Sequence, residues 1–184
     1  MPQLLEPVRE ISFNPVMLAA AKAGRKTVTR RRISQHAGLL AAPGQYLFCG
    51  MQGAWGVFEE RQPGLAPQEV RLDCPFGMPG TSLRVKEEAG LVLEVVQVRA
   101  EQVQAITEAD ALAEGVVEYA PISRNEPSSG QPFCLSETDG DSLPQQTAVE
   151  AFRALLDTIY PTAWARNQWV WVVEFRLIPP HRAG

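Results

Sequence analysis

Residues 168–177 read QWVWVVEFRL, and this stretch decides the fold. Under the two-residue alternation of a strand, Trp169, Trp171, Val173 and Phe175 share one face and Val170 and Val172 share the other. A strand that is apolar on both faces is covered on both, so it belongs in the middle of a sheet. LVLEVVQVR (91–99) is the clearest other interior strand. Alternation there puts Val92, Val96 and Val98 on one face and Leu91, Leu93 and Val95 on the opposite one.

Shorter strands are expected at QYLFC (45–49), WGVFEE (55–60), EVRLD (69–73) and SLRVKE (82–87), separated by Pro/Gly turns. Helices are fewer. Asn14 caps the first, Pro15 suits its first position, and Phe13 and Leu18 are spaced as a hydrophobic staple; Gly24 ends it. Thr107 caps EADALAEG, which stops at Gly115. Thr147 and Glu150 form a capping box for a helix with apolar positions Phe152, Leu155, Leu156 and Ile159, and Pro161 lies beyond it. The stretch 119–146, rich in Pro, Ser, Gly and Asp, shows no periodicity and is expected to be a flexible insertion loop bordering a functional cleft. Short strands with about three helices predict an α+β fold, a small mixed or barrel-like sheet capped by helices, in one domain spanning 1–184. Strand–helix alternation is absent, which disfavours a doubly wound sheet.

Composition narrows the function classes. The chain has 184 residues, 45% hydrophobic and 21% charged, the values of an ordinary globular domain. No apolar run is long enough to cross a membrane, and MPQLLEPVRE does not read as a signal peptide. Cys49, Cys74 and Cys134 are widely spaced and have only His36 and His181 beside them, so reduced thiols in a cytoplasmic protein are expected, with no zinc site and no thiol nucleophile. The net charge of −4 argues against nonspecific coating of nucleic acid but permits a local basic site.

That local site is GRKTVTRRR (24–32), which holds Arg25, Lys26, Arg30, Arg31 and Arg32 at a helix exit leading into a strand. Alternation sends Lys26, Val28 and Arg30 to one face and Thr27, Thr29 and Arg31 to the other. A lysine becomes a nucleophile or base when burial or neighbouring positive charge lowers its pKa, and Arg25 and Arg30 are placed to supply the second effect. Thr29 is positioned to hold a substrate or water. Glu114, in the last turn of its short helix, lies near the negative end of the dipole, a setting suited to a general acid or base. The plain alternatives are a surface lysine, a structural threonine and a solvated glutamate. Arg84 and Lys86 alternate with Leu83 and Val85 and, with the first cluster, would form a phosphate-contacting groove. Trp55, in the glycine-flanked turn GAWG, is a candidate base-stacking platform, whereas Trp169 and Trp171 read as core.

The helix followed by GRKTVTRR resembles the opening of ASCH-domain proteins of the PUA-like superfamily, and the longer, phage-associated branch is most similar. CPFGMPG (74–80), LRVKE (83–87), DALAEGV (110–116) and WVWVVEF (169–175) follow in the order that branch shows. The chain departs from it after VKEE, where a longer tryptophan-bearing insertion is usual. The resemblance implies a pseudo-barrel of strands with flanking helices and a cleft for RNA or a modified nucleoside. It further implies a metal-independent, cofactor-free amidohydrolase that removes acetyl from acetylcytidine, with Lys26, Thr29 and Glu114 at the positions of the catalytic residues. The superfamily also contains RNA-binding modules and ribonucleases, so a noncatalytic RNA- or nucleotide-binding module stands as the alternative. A nuclease ranks third, because no metal ligands suit it.

Overall fold

The structure is a computed structural model and describes residues 8–118, 133–134 and 145–178. The described chain is mixed α+β. In order, it forms β1 (Arg9–Ile11), α1 (Pro15–Lys22), β2 (Val28–Arg32), α2 (Ala37–Ala41), β3 (Tyr46–Gln52), β4 (Trp55–Glu60), β5 (Gln68–Asp73), β6 (Ser82–Val85) and β7 (Val92–Gln102). Then follow α3 (Glu108–Ala113), β8 (Val117–Glu118), β9 (Phe133–Cys134), α4 (Ala148–Ile159) and β10 (Trp169–Ile178). No helix among these residues is long and apolar enough to cross a membrane.

β10 is central, as its pattern requires. The main sheet has the order β1-β6-β7-β10-β2, with β10 antiparallel to both β7 and β2. Trp169, Trp171, Val173 and Phe175 enter a core shared with the three-stranded sheet β3-β4-β5, where Phe58 meets both tryptophans edge-on at 5.3 and 6.2 Å between centroids. The sheets approach so closely that a Cβ on Gly56 would lie 2.4 Å from the Trp171 ring. Val170 and Val172 face the other way, into a second core with Val28 and with Ala111, Phe152 and Leu156 of α3 and α4. The layers are therefore small sheet, large sheet, and α3 with α4, while α1 and α2 place Met17, Ala21 and Leu39 in the first core.

Two expectations need correction. The barrel does not close among the described residues: β1 and β2 end the large sheet unpaired to one another, and the small sheet packs across its face rather than joining the two edges. On β7, Val98 belongs with Leu93 and Val95, not with Val92 and Val96. The pairing shifts between Glu174 and Phe175, leaving half-exposed Val96 as the extra residue of a β-bulge, and one extra residue inverts every later side chain. The stretch 119–146 lies outside the described residues except at 133–134 and 145–146. There Phe133–Cys134 pairs with Val117–Glu118, Phe133 also bridges Gln145, and Gln146 precedes the α4 cap; the expected loop otherwise lies outside the described residues.

The helix ends follow their sequence signals. The Asn14 side chain accepts from Met17 N, and Phe13 and Leu18 both pack into the core. Thr107 with Asp110, and Thr147 with Glu150, form complete capping boxes. Helix α2, absent from the sequence reading, starts on an uncommon cap, the His36 imidazole accepting from Leu39 N at 3.2 Å.

Candidate functional site

The site begins where α1 stops. Gly24 takes the left-handed conformation (φ 73°), and the amides of Arg25 and Lys26 both donate back to Ala20 O, at 3.0 and 3.1 Å. This folds the chain over so that Lys26 points inward before β2 starts. Thr27 N then donates to Ala113 O (2.9 Å), which docks the end of α3 against the start of β2. Gly115 makes the docking possible. Its φ of 101° suits glycine alone, and a Cβ there would lie 3.1 Å from Ala20 Cβ and 3.3 Å from Lys26 Cβ.

Glu114, capping α3 at its C-terminus, is thereby brought onto Lys26 across 88 residues of sequence. Lys26 Nζ donates to Glu114 Oε2 at 2.6 Å, to Glu114 O at 3.0 Å and to Val28 O at 2.9 Å. An ammonium has three protons, and all three are placed. Both side chains are almost wholly buried, at 2% and 5% exposed. Burial pushes the Lys26 amine below its ordinary range; the Glu114 carboxylate opposes this, and Arg31 and Arg30 add to it.

Arg30 lies behind this pair, its side chain 1% exposed. It contacts Glu101 at 3.2 Å, Glu114 at 3.4 Å and Asp110 at 3.5 Å. Sheet register explains the gathering. Val172 pairs with Arg30 on one side and Arg99 on the other, and Val170 pairs with Arg32 and Glu101. These six residues occupy two adjacent cross-strand rows on the face that α3 and α4 cover, and Arg99 joins the network through Glu101, Asp110 and Glu174. Burial pushes the Asp110 carboxyl up, but hydrogen bonds from Thr107 and the Arg30 charge outweigh it and hold the group below its usual range.

Lys26, Thr29, Arg30, Arg31 and Glu114 all line one pocket of about 160 Å³ along the edge of β2. Phe13, Met17, Phe152, Leu155, Leu156 and Ile159 form its apolar wall. A cavity of about 150 Å³ accepts a benzene ring, so the pocket holds one six-membered ring. Phe13, Asn14, Arg31 and Tyr160 also line a second, more open basin of about 530 Å³ that includes Glu10, Ser12 and Lys86. The two form one cleft, narrow inside and wide outside.

The structure thus brings Lys26, Thr29 and Glu114 together, with Arg30 and Arg31 beside them and Lys86 at the outer rim. Other expected positions fall elsewhere. Arg25 is exposed at the helix exit and lines neither cavity. Arg84 lines a separate depression with Val8, Arg9 and Thr81, so it does not share a groove with Lys86. The strand stops at Val85, and the alternation that placed the two side chains together does not continue beyond it. Trp55 is exposed at the β3–β4 hairpin, away from the cleft. Arg30 is not a free phosphate ligand, because three carboxylates surround it. Lys26 also departs from the expected alternation, since β2 begins only at Val28.

Sequence reasoning missed Glu101, Asp110 and the apolar wall of α4. Asp110 stood in the sequence only as a residue of EADALAEG and of the DALAEGV segment, with no role of its own. Glu101 stands two residues after Arg99, a same-face charge pair that signals an ion-pair row once strand β7 is extended past 99. Among the described residues, no group of three His, Cys, Asp or Glu side chains is placed to hold a metal ion. Comparison of the chain with protein-family models, curated proteins and solved structures found no match.

Proposed function

We propose that the chain is an ASCH-like, metal-independent amidohydrolase that removes an acyl group from the exocyclic amine of a nucleoside such as acetylcytidine. The observation that carries this reading is the buried Lys26–Glu114 pair, with Thr29, at the polar end of a pocket sized for one ring. Three of the four charged side chains that line the pocket, Lys26, Arg30 and Arg31, are cations, a set that repels a metal ion rather than binding it.

Glu114 Oε2 is committed to Lys26, whereas Oε1 has, among the described residues, only the long 3.4 Å contact to Arg30. Oε1 therefore takes the proton of a water that attacks the amide carbonyl. Thr29 and the buried positive charge of Lys26 stabilise the oxyanion that forms. Glu114 then returns the proton to the amine nitrogen as the carbon–nitrogen bond breaks, giving a carboxylic acid and the free nucleoside. Lys26 holds Glu114 in place and is not the attacking group, since all its protons already have acceptors.

A second reading, a noncatalytic nucleotide-binding module, is favoured by the same saturation: Lys26 and Arg30 have the partners of a structural ion-pair cluster. Incubating purified protein with acetylcytidine, with and without chelator, separates the two. The hydrolase releases acetate in both conditions. Glu114→Gln lowers turnover by about 10²-fold or more and leaves cytidine affinity within a few-fold. Absence of turnover with cytidine still bound establishes the module and ends the hydrolase reading.

A further inference from the structure

We infer that the outer basin is a phosphate subsite, so that the ligand is a 5′-phosphorylated nucleotide unit rather than a free nucleoside; the inference rests on the nucleoside reading of the inner pocket. A base in the 160 Å³ pocket with its amide at Glu114 must project its sugar through the throat shared with the 530 Å³ basin. Arg31 stands in that throat. One of its terminal nitrogens donates to Ser12 O, and its guanidinium lies 5.6 Å from the Phe13 ring centroid, which fixes its position. It is half-buried, and unlike Arg30 it forms no ion pair with a described residue. Its remaining N–H donors have the fork geometry that a phosphate fits.

The other charged groups around the basin do not cancel it. Lys86 pairs loosely with Glu10 at 3.7 Å, so those two offset each other. Glu87 stays ionised, since hydrogen bonds from the Ser12 hydroxyl and from Phe13 N (3.1 Å) hold its carboxyl below the usual range, but it does not line the basin. Glu10 and the accepting lone pairs of the Ser12 hydroxyl are suited to ribose hydroxyls, and Arg31 is left as the basin cation without an ion-pair partner among the described residues, one sugar away from the base.

Calorimetric titration of cytidine and of its 5′-monophosphate, on wild type, Arg31→Ala and Arg31→Lys at low salt, tests this directly. Wild type should prefer the monophosphate about tenfold or more, as a charge-assisted phosphate contact provides. The preference should vanish in Arg31→Ala, persist in part in Arg31→Lys, and weaken in wild type as salt rises. Equal affinities in wild type, or a preference that ignores salt, overturn the inference even where Arg31→Ala does not fold. A short oligoribonucleotide carrying an internal cytidine identifies the source: tighter binding than the monophosphate places the phosphate in an RNA chain, and weaker binding places it in a free nucleotide. Phosphate preference without amide turnover retires the hydrolase but keeps the subsite. Turnover without phosphate preference does the reverse.

Discussion

Replacing Lys26 by methionine removes a cation that is 2% exposed and 2.6 Å from a carboxylate that is 5% exposed. Breaking such a pair from one side costs about 3–5 kcal/mol, because the remaining charge stays buried without its partner. Here Glu114 keeps Arg30 at 3.4 Å, so Lys26→Met should fall near the low end, about 3 kcal/mol. Glu114→Gln leaves an ammonium with two backbone carbonyls and no counter-charge, and should cost about as much. The double variant leaves neither charge stranded and should cost less than either single one, a large negative departure from additivity. Urea denaturation followed by tryptophan fluorescence gives all four stabilities. Single losses under about 1 kcal/mol, the range of exposed pairs, would refute the burial on which the site rests.

The same pair has a pH signature. Burial lowers the Lys26 pKa from 10.5, so the folded chain holds that proton less firmly than the unfolded one. Between the lowered value and 10.5 the unfolded state binds more protons, and stability gained from this group rises with pH. The wild-type advantage over Lys26→Met should therefore grow as pH is raised toward 10.5. An advantage that shrinks over that range would contradict the sign.

Three further outcomes are expected. Gly115→Ala forces a side chain into φ 101° and within 3.1 Å of Ala20 Cβ, so it should cost about 1–3 kcal/mol and, on the proposed hydrolase reading, lower acetylcytidine turnover by displacing Glu114, both measurable on the purified variant. Thr147→Ala removes one half of the α4 capping box and should lower stability by about 1 kcal/mol without altering ligand affinity. A thiol reagent near neutral pH should label exposed Cys49 quickly and Cys74 only on unfolding, because Cys74 is buried and its thiol is pushed up to about 11.

How far a sequence discloses such a structure depends on how far apart the deciding residues are. The two-faced apolar pattern of β10 is local, and it placed that strand correctly in the centre with both faces assigned. The caps at Asn14, Thr107 and Thr147 are local too, and each is formed. The β7 bulge is not local. Leu93, Val95 and Val98 share a face only because β10 pairs past Val96, and nothing within 91–99 marks Val96 as the extra residue. Barrel closure fails for a similar reason, since it depends on how strand edges meet rather than on any one strand's pattern.

The site divides along the same line. A helix exit carrying Lys26 and a helix end carrying Glu114 were each conspicuous, but their contact depends on Thr27 reaching Ala113 and on Gly115 having no side chain. The acidic partners of Arg30 come from register: Val172 sets Arg30 beside Arg99, and the next row sets Arg32 beside Glu101. Read singly, each arginine of GRKTVTRRR looked available to a phosphate. Pairing separates them, turning Arg30 into an internal tie among three carboxylates and leaving Arg31 at the throat with, among the described residues, only a backbone carbonyl and an aromatic ring. One strand position thus divides an arginine that fixes the geometry of Glu114 from one that is free to meet a ligand. Arg30→Met should therefore impair folding and Glu114-dependent turnover together, while Arg31→Ala acts on ligand affinity. If the two substitutions gave the same profile in stability and binding assays, the division drawn from the register would be wrong.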